Sequence, residues 1–463
     1  MGYYESSCQI CGVSFNLTRC RTVDEPGEPG WGYLSGNCRA GDPYSCFQVV
    51  EKQGHPGISS GRVRHVHISG LGCVFTGGYS GHRVSAEQMK DMNLCRHILI
   101  KPKDILEEED APDYEKCSEF FLTNQSSYKW DYFQPGNFPR HRYGVRAFLP
   151  RNCLALDDTG GNYGVPVHDA CWKIFEHVSK RRLGRVDLQG FMALWYRSAC
   201  GECGFQNLGH QPILTECKQK WWCHVPGTEY LASNPYSIPG FSAMMLRGYE
   251  YTHDGEGAYD GRFFKKPLQL YPNTTDPFRK LPTELKDMVL LELETKDIKS
   301  LRLVSRAFSQ LSQRLYRHLI VKEMPWFWEI DDIRQKTIRE SRKNFLSDYG
   351  EALFQLEAVE TDQDYRQYVE DCVALKPQSL NWKSVYDRLQ LLRKVNLGVR
   401  NRMRVWVLAE RITERIGKLR GKQSAEGDDD LGDEDDLLQV QPTQEEIDSG
   451  LVTHGVVCTS CQR

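Results

Sequence analysis

The clearest pattern of apolar and polar positions lies past the middle of the chain, over residues 281–308. Apolar side chains recur there at helical spacing, at Leu285, Met288, Val289 and Leu293. Pro282 suits a first helical turn, because the N–H group that it lacks would have no partner there. The pattern predicts a short amphipathic helix.

A second short helix is predicted directly after the first. Its apolar stripe consists of Ile298, Leu301, Val304 and Phe308. Thr295 and Asp297 are expected to accept hydrogen bonds from the free N–H groups at its start. Two helices this short cannot bury both apolar faces alone, so they need the rest of the chain or a partner protein.

The order of residues across both helices resembles the F-box family. The family pattern runs from Leu-Pro-x-Glu-Leu through Asp-Ile to Leu-Arg-x-Val-Ser-Arg and an aromatic residue, here at 281–285, 297–298, 301–306 and Phe308. Phe308 stands where many members have Trp. The alternative is an ordinary helical hairpin inside a core, which the joint occurrence of the opening and closing motifs makes the weaker interpretation.

The resemblance implies that the hairpin docks on the Skp-type adaptor of a cullin ubiquitin ligase. Apolar burial would drive this docking. The residues expected to bind the adaptor are Leu281, Pro282, Leu285, Ile298, Leu301 and Val304.

Further helices are predicted in the C-terminal half, at residues 309–319, 333–347, 363–373 and 381–420. An apolar cluster after the hairpin is expected to seal its helices, and consists of Trp326, Phe327, Trp328 and Ile330. Residues 383–422 carry twelve Lys and Arg against three Asp and Glu. This basic helix could face nucleic acid or an acidic partner. The acidic run 426–436 is predicted to be a disordered tail, or to lie back across the basic helix.

Residues 1–245 are predicted to form a domain rich in Cys, His, Gly and aromatic residues, with strands, loops and short helices. Ser85 and Gln88 fit a capping box. Two amphipathic helices are expected, one beginning at 168 with Ile174, Phe175 and Val178 on its apolar face, the other over 187–197 with Leu188, Phe191, Met192 and Trp195 inward. A glycine-rich linker, 246–276, follows.

Composition narrows the location of the protein and its partners. The net charge of the 463 residues is −3, so no global field favours nucleic acid or membrane. No apolar run approaches the ~20 residues of a membrane span. The N-terminus has neither the basic flank nor the apolar core of a signal peptide. We therefore expect a cytoplasmic or nuclear protein.

Cysteine is the unusual component, with 17 residues, 14 of them at or before Cys223. Thiols in a reducing compartment are buried as small apolar groups or bind metal. Cys8-x-x-Cys11-Gly is a tight turn suited to tetrahedral zinc, and it needs a second ligand pair. His168-x-x-Cys171 and Cys200-x-x-Cys203 are the two candidates, and spacing alone leaves both open.

A second resemblance favours one pair. Four pieces of the N-terminal half are similar to a Cys-rich group of F-box proteins from filamentous fungi, namely 8–12, 81–89, 168–172 and 230–235, and Met324-Pro-Trp326 matches a segment that follows the F-box in that group. This resemblance supports structural zinc bound by Cys8, Cys11, His168 and Cys171.

The expected fold class is α+β, a Cys/His-rich mixed domain followed by an all-α F-box and helical region. The predicted boundaries are 1–245, linker 246–276, F-box 277–320, helical region 321–422 and tail 423–463. No catalytic motif is found, so we expect an adaptor that presents an unknown protein substrate rather than an enzyme. The alternatives are a zinc-stabilised interaction module outside any ligase and a nucleic-acid-associated protein that uses the basic helix.

Overall fold

The computed structural model describes residues 6–22, 24–25, 69–102, 108–129, 134–135, 142–143, 148–150, 162–200, 204–205, 212–218, 222–241, 276–330 and 382–425. The predicted helices 333–347 and 363–373, the acidic run 426–436 and nearly all of the linker 246–276 lie outside these residues. No helix among the described residues is long and apolar enough to cross a membrane.

The strands are β1 Arg19–Cys20, β2 Tyr79–Ser80, β3 Leu94–Ile100, β4 Phe120–Leu122, β5 Ser126–Lys129, β6 Gln134–Pro135, β7 Phe148–Pro150, β8 Asn162–His168, β9 Ala199–Cys200 and β10 Gly204–Phe205. The helices are α1 Ala86–Met89, α2 Asp113–Lys116, α3 Asp169–Leu183, α4 Leu188–Ser198, α5 Pro212–Cys217, α6 Thr283–Glu292, α7 Thr295–Val304, α8 Gln313–Glu323, α9 Trp382–Val395 and α10 Leu397–Ala425. The fold class is α+β, as predicted.

The chain forms two compact units, and one interrupts the other in sequence. The first unit consists of Met1–Pro239 and Val395–Arg463, and the second of Gly240–Lys394. The predicted helical region 321–422 is therefore divided, because α10 packs on α3 and α4 of the first unit. Sequence periodicity shows that a helix has an apolar face but not which domain covers that face.

A six-stranded sheet forms the centre of the first unit. Its order is β6-β5-β3-β8-β7, and β4 pairs additionally with β3. The strands β3 and β8 run antiparallel, with Cys95 opposite His168. Ile98 and Leu99 of β3 are almost fully buried, as expected for a central strand covered on both faces.

The two amphipathic helices predicted in the N-terminal half are present. On α3 the side chains of Ile174, Phe175 and Val178 are fully buried. The inward residues of α4 are buried as well, namely Leu188, Phe191, Met192 and Trp195. Gly184 ends α3 in the left-handed conformation, with φ of 73°, which glycine adopts without the steric cost that other residues meet.

Two segments of the first unit, residues 81–89 and 230–235, are joined by hydrogen bonds. Ser85 and Gln88 form the predicted capping box at the start of α1. The carbonyl of Gln88 accepts a hydrogen bond from the Asn234 N–H at 2.7 Å, and the Asn234 side chain donates to the carbonyl of Lys90 at 2.9 Å. These two hydrogen bonds join the end of α1 to the segment around Asn234.

The helices of the second unit are built around a small core. Its buried residues are Leu290, Ile298, Phe308, Leu315 and Leu319. Trp326, Phe327 and Ile330 of the predicted apolar cluster are also buried. Tyr386 of α9 packs against the core, and its ring lies 5.8 Å from that of Tyr316.

Two local predictions in this unit are wrong. Thr295 and Asp297 do not cap α7, whose preceding residue Glu294 makes no side-chain cap; the Thr295 hydroxyl instead donates to Glu323. The third helix begins at Gln313 rather than near 309, because Ser312 caps it by accepting a hydrogen bond from the Leu315 N–H. A tertiary polar partner decides the first case, and a local side-chain cap decides the second.

Candidate functional site

A tight turn near the N-terminus presents two thiols, those of Cys8 and Cys11. The turn closes through hydrogen bonds from the Gly12 N–H to the Cys8 carbonyl at 2.8 Å and from the Cys8 N–H to the Val13 carbonyl at 2.9 Å. Gly12 has a φ of 72°, a conformation that costs most other residues about 1 kcal/mol or more. The glycine after the second cysteine therefore allows the chain to turn back here.

The junction of β8 and α3 presents the other two groups, His168 and Cys171. His168 is the last residue of β8 and directly precedes α3. Its N–H lies 3.2 Å from the Cys8 Sγ, and the Gln9 N–H donates to the Pro166 carbonyl at 3.0 Å. Backbone contacts thus fix the N-terminal turn on β8 across more than 150 residues of sequence.

The ligand atoms of Cys8, Cys11, His168 and Cys171 all lie within 4.8 Å of one another. The His168 Nδ1 is 3.4 Å from the Cys11 Sγ and 3.9 Å from the Cys171 Sγ. Ligands at zinc distances in a tetrahedron lie roughly 3.5–3.8 Å apart. All four side chains have 0% exposure, so the cluster could hold a buried metal ion.

Burial and the neighbouring groups shift the pKa values of Cys11, His168 and Cys171. Burial raises the pKa of the Cys11 thiol, but hydrogen bonds from Cys171 and Cys8 and the charge of His168 together hold that pKa well below its usual value. Burial lowers the pKa of His168, yet the adjacent Cys8 and Cys11 raise it to about 10. The pKa of Cys171 is raised by burial and by the same two cysteines. The lowered pKa of Cys11 and the raised pKa of His168 favour a buried thiolate beside a protonated imidazole.

The alternative ligand pair, Cys200 and Cys203, is only partly described by the structure. Cys200 lies at the end of β9 in a two-stranded sheet with β10, and Cys203 lies outside the described residues. Among the residues that the structure describes, the cluster of Cys8, Cys11, His168 and Cys171 is the one group that could hold a metal. Its sequence signal was the combination of Cys-x-x-Cys-Gly with His-x-x-Cys.

The second candidate site is the outer face of α6 and α7. Of the six residues predicted to bind an adaptor, Pro282, Leu285 and Val304 are exposed, and Leu281 and Leu301 are half-buried. Ile298 is only 3% exposed. It lies in the core of its own unit and supports the two helices from within, so the structure places it away from the outer face.

Three apolar residues omitted from the predicted adaptor-binding set belong to this exposed face. Met288 is 61% exposed, Val289 41% and Leu303 88%. We define the docking face as the exposed apolar side chains of this segment, Pro282, Leu285, Met288, Val289, Leu303 and Val304. On α6 the buried position is Leu290, and most of the predicted apolar stripe, namely Leu285, Met288 and Val289, is exposed. Periodicity identified both stripes but could not tell the inner one from the outer one.

The residues of the closing Val-Ser-Arg motif and the aromatic Phe308 make structural contacts at the end of α7. The Ser305 hydroxyl donates to the Asp276 Oδ2 at 2.8 Å, and the Ala307 N–H donates to the same oxygen at 3.2 Å. Phe308 is fully buried, and its ring lies 5.4 Å from that of Phe278 in an edge-on contact. These contacts tie the segment before α6 to the turn after α7 and hold the docking face in one shape.

The basic helix α10 directs several cations into its own unit. Arg402 is 1% exposed and donates to the carbonyls of Pro235 at 2.8 Å and Tyr236 at 2.7 Å. Arg420 forms an ion pair with Asp187, and the Arg400 guanidinium lies 4.5 Å from the ring centroid of Tyr230. These three arginines therefore have partners inside the protein.

Comparison with known proteins supports the second site. A model of the F-box domain matches residues 278–319, which contain α6, α7 and the start of α8. The searches found no significant match among curated proteins or among solved structures. The resemblance to the fungal Cys-rich group therefore remains a prediction.

Proposed function

Because residues 278–319 are an F-box domain, we propose that the protein is the substrate-receptor subunit of a Skp–cullin–F-box ubiquitin ligase. An F-box implies a role as a ligase adaptor, and proteins that contain one are typically not enzymes. We assign this chain the adaptor role, in the cytoplasm or nucleus, with the Skp-type adaptor as its partner.

One observation carries this proposal: the apolar docking face is exposed although the core beneath it is complete. Leu290, Ile298 and Phe308 are each 3% exposed or less, while Leu303 and Val304 are 88% and 82% exposed. Several exposed apolar side chains on two consecutive helices are characteristic of a protein-binding site. The alternative, in which the F-box helices serve only as internal core, would require this face to be covered.

The first unit is the candidate for the substrate-binding part. It is compact in itself and contains the sheet, α3, α4 and α10. A receptor needs one surface for the ligase and another for the substrate, and the F-box lies entirely in the second unit. The substrate is a protein of unassigned chemistry.

We further propose that the buried cluster binds a structural Zn²⁺ through Cys8, Cys11, His168 and Cys171. A donor set of three thiols and one imidazole suits zinc, and the two distances from the His168 Nδ1 to thiol sulfurs, 3.4 and 3.9 Å, are close to those between tetrahedral ligands. Zinc would link the N-terminal turn to the β8–α3 junction. The chain would supply all four ligands and exclude water, as closed structural sites do.

Docking is tested with purified full-length protein and a purified Skp-type adaptor. The two should elute as a one-to-one complex in size-exclusion chromatography, and Met288→Lys should abolish the complex because it places a charge in the apolar face. Thr283→Lys, also exposed on α6, is the matched control for the added charge. Failure of the natural protein to bind any Skp-type adaptor would refute the receptor role.

Zinc is tested by elemental analysis of the reduced, purified protein. About one zinc per chain is expected, and Cys171→Ser should lose it. The structure also provides Cys95→Ser as a control, because Cys95 is fully buried, hydrogen-bonded to Ser126 and outside the cluster. Far less than one metal per chain in the natural protein would rule out the site.

A further inference from the structure

Arg404 of α10 reaches the turn that carries Cys11. Its Nη1 donates to the Cys11 carbonyl at 2.8 Å, across 393 residues of sequence. Its Nη2 is buried and has no hydrogen-bond partner among the described residues. A guanidinium is therefore held against the cysteine turn with part of its donor capacity unused.

Hydrogen bonds to buried residues of the first unit fix the position of the Arg404 side chain. Its Nε donates to the Asn401 Oδ1 at 3.2 Å. Asn401 is fully buried, and its side chain donates to the carbonyl of Ser233 at 2.7 Å. This chain of hydrogen bonds runs from residues 233–235 through α10 to the cysteine turn, so the guanidinium reaches Cys11 only when α10 is docked.

The net charge of a zinc-bound cluster would favour a cation beside the cysteine turn. A Zn²⁺ ion with three thiolates and a neutral imidazole carries a net charge of −1, and isolated buried charge is costly. The neighbouring carboxylate, Asp169, already has two cationic partners, Lys173 at 2.8 Å and Arg96 at 3.6 Å. Arg404 is the cation that contacts the ligand-bearing turn from the opposite end of the chain.

We propose that Arg404 is a positioning residue for the metal centre, which couples metal binding to the docking of the C-terminal helix α10. Arg404 holds the cysteine turn in ligand geometry and offsets the residual negative charge. Because such coupling is reciprocal, the metal also stabilises the docked helix. The inference rests on the proposed zinc site.

The first experiment measures zinc affinity of the full-length protein by competition with a chromogenic chelator. Arg404→Gln should weaken zinc binding by about ten- to a hundredfold, the usual effect of losing an outer partner of a metal ligand, and Arg404→Lys should recover part of it. Lys418→Ala is the matched control, since Lys418 is an exposed cation of the same helix whose ion pair is with Glu414. It should leave zinc affinity unchanged.

The second experiment separates positioning from ligation and from general stability. Co²⁺ bound to Arg404→Gln should keep the thiolate charge-transfer band of the natural protein, because all four ligands remain. In the natural protein, chelation should increase amide hydrogen exchange over 397–425, and this increase should be smaller in Arg404→Gln. If Arg404→Gln does not fold, the lysine variant and the hydrogen exchange of the natural protein decide.

The outcomes are distinguishable. Zinc bound with equal affinity by the natural protein and Arg404→Gln would overturn the role of Arg404 and leave the zinc site standing. Absence of zinc from the natural protein would overturn both proposals. Equal losses of affinity in Arg404→Gln and Lys418→Ala would show a general charge effect, and would also overturn the inference.

Discussion

Leu303 and Val304 offer the sharpest test of the docking face. They end α7 and are 88% and 82% exposed. Replacing both by alanine removes five carbon atoms without opening a cavity, so the free energy of unfolding should change little. Any effect on binding to the Skp-type adaptor then reports the interface and not the fold.

The expected magnitude follows from the area these side chains offer. Each buried methylene is worth ~0.8 kcal/mol, so covering all five carbons would contribute up to about 4 kcal/mol, a thousandfold in Kd. If only a third of them is covered, the effect is about tenfold. Leu303→Ala/Val304→Ala should therefore raise Kd between about tenfold and about a thousandfold.

The helix α9 provides a matched control outside the F-box. Leu391 and Val395 of α9 are 58% and 62% exposed, so Leu391→Ala/Val395→Ala deletes the same five carbon atoms from an exposed helical surface. Isothermal titration calorimetry with purified adaptor measures both double variants. An unchanged Kd for the α7 variant, or an equal loss in the α9 variant, would refute the assignment of the docking face.

Two further predictions concern α10. Burial raises the pKa of Asp187, but the Arg420 side chain outweighs this effect and holds that pKa below its usual value. The pair therefore stabilises the fold above about pH 4 and loses this effect as pH falls through the depressed pKa. Asp187→Asn should cost about 2 kcal/mol at pH 7 and progressively less as the pH is lowered. Urea unfolding over a series of pH values measures this cost, and a pH-independent difference would contradict the ion-pair argument. Gly190→Ala should destabilise the first unit by about 1–3 kcal/mol, because the added Cβ would lie 2.6 Å from the Ile416 Cγ2. In Gly421→Ala the added Cβ meets nothing within 4 Å, so this variant should stabilise α10 by up to about 1 kcal/mol. Equal shifts of the thermal midpoint in the two variants would contradict the close approach of α4 and α10.

Local pattern predicted much of the helical structure. The region predicted as one helix, 381–420, forms the two helices α9 and α10. Its apolar positions are buried at Val385, Leu389, Leu392, Val399, Val405 and Leu408. The sequence contained no equivalent signal for the separation of these two helices into different units. That separation depends on long-range contacts, such as the hydrogen bonds of Arg402 to Pro235 and Tyr236.

The two candidate sites differ in what sequence could predict. Cys8, Cys11, His168 and Cys171 lie together in the fold, and their pairing was favoured by resemblance, since spacing left Cys200 and Cys203 open. The proposed role of Arg404 could not be predicted from the sequence. One arginine of a basic helix cannot be distinguished from the others until its hydrogen bond to the Cys11 carbonyl is known.

The structure gives residues 81–89 and 230–235 an internal role. Their polar groups are used internally: the Gln88 carbonyl accepts from Asn234, and the Ser233 carbonyl accepts from Asn401. The second of these contacts continues through Arg404 to Cys11. These segments therefore build a frame around the proposed metal centre and need not contact a substrate themselves. A substrate-binding surface should be sought on the exposed side chains of the first unit, where exchange of one residue leaves this frame intact.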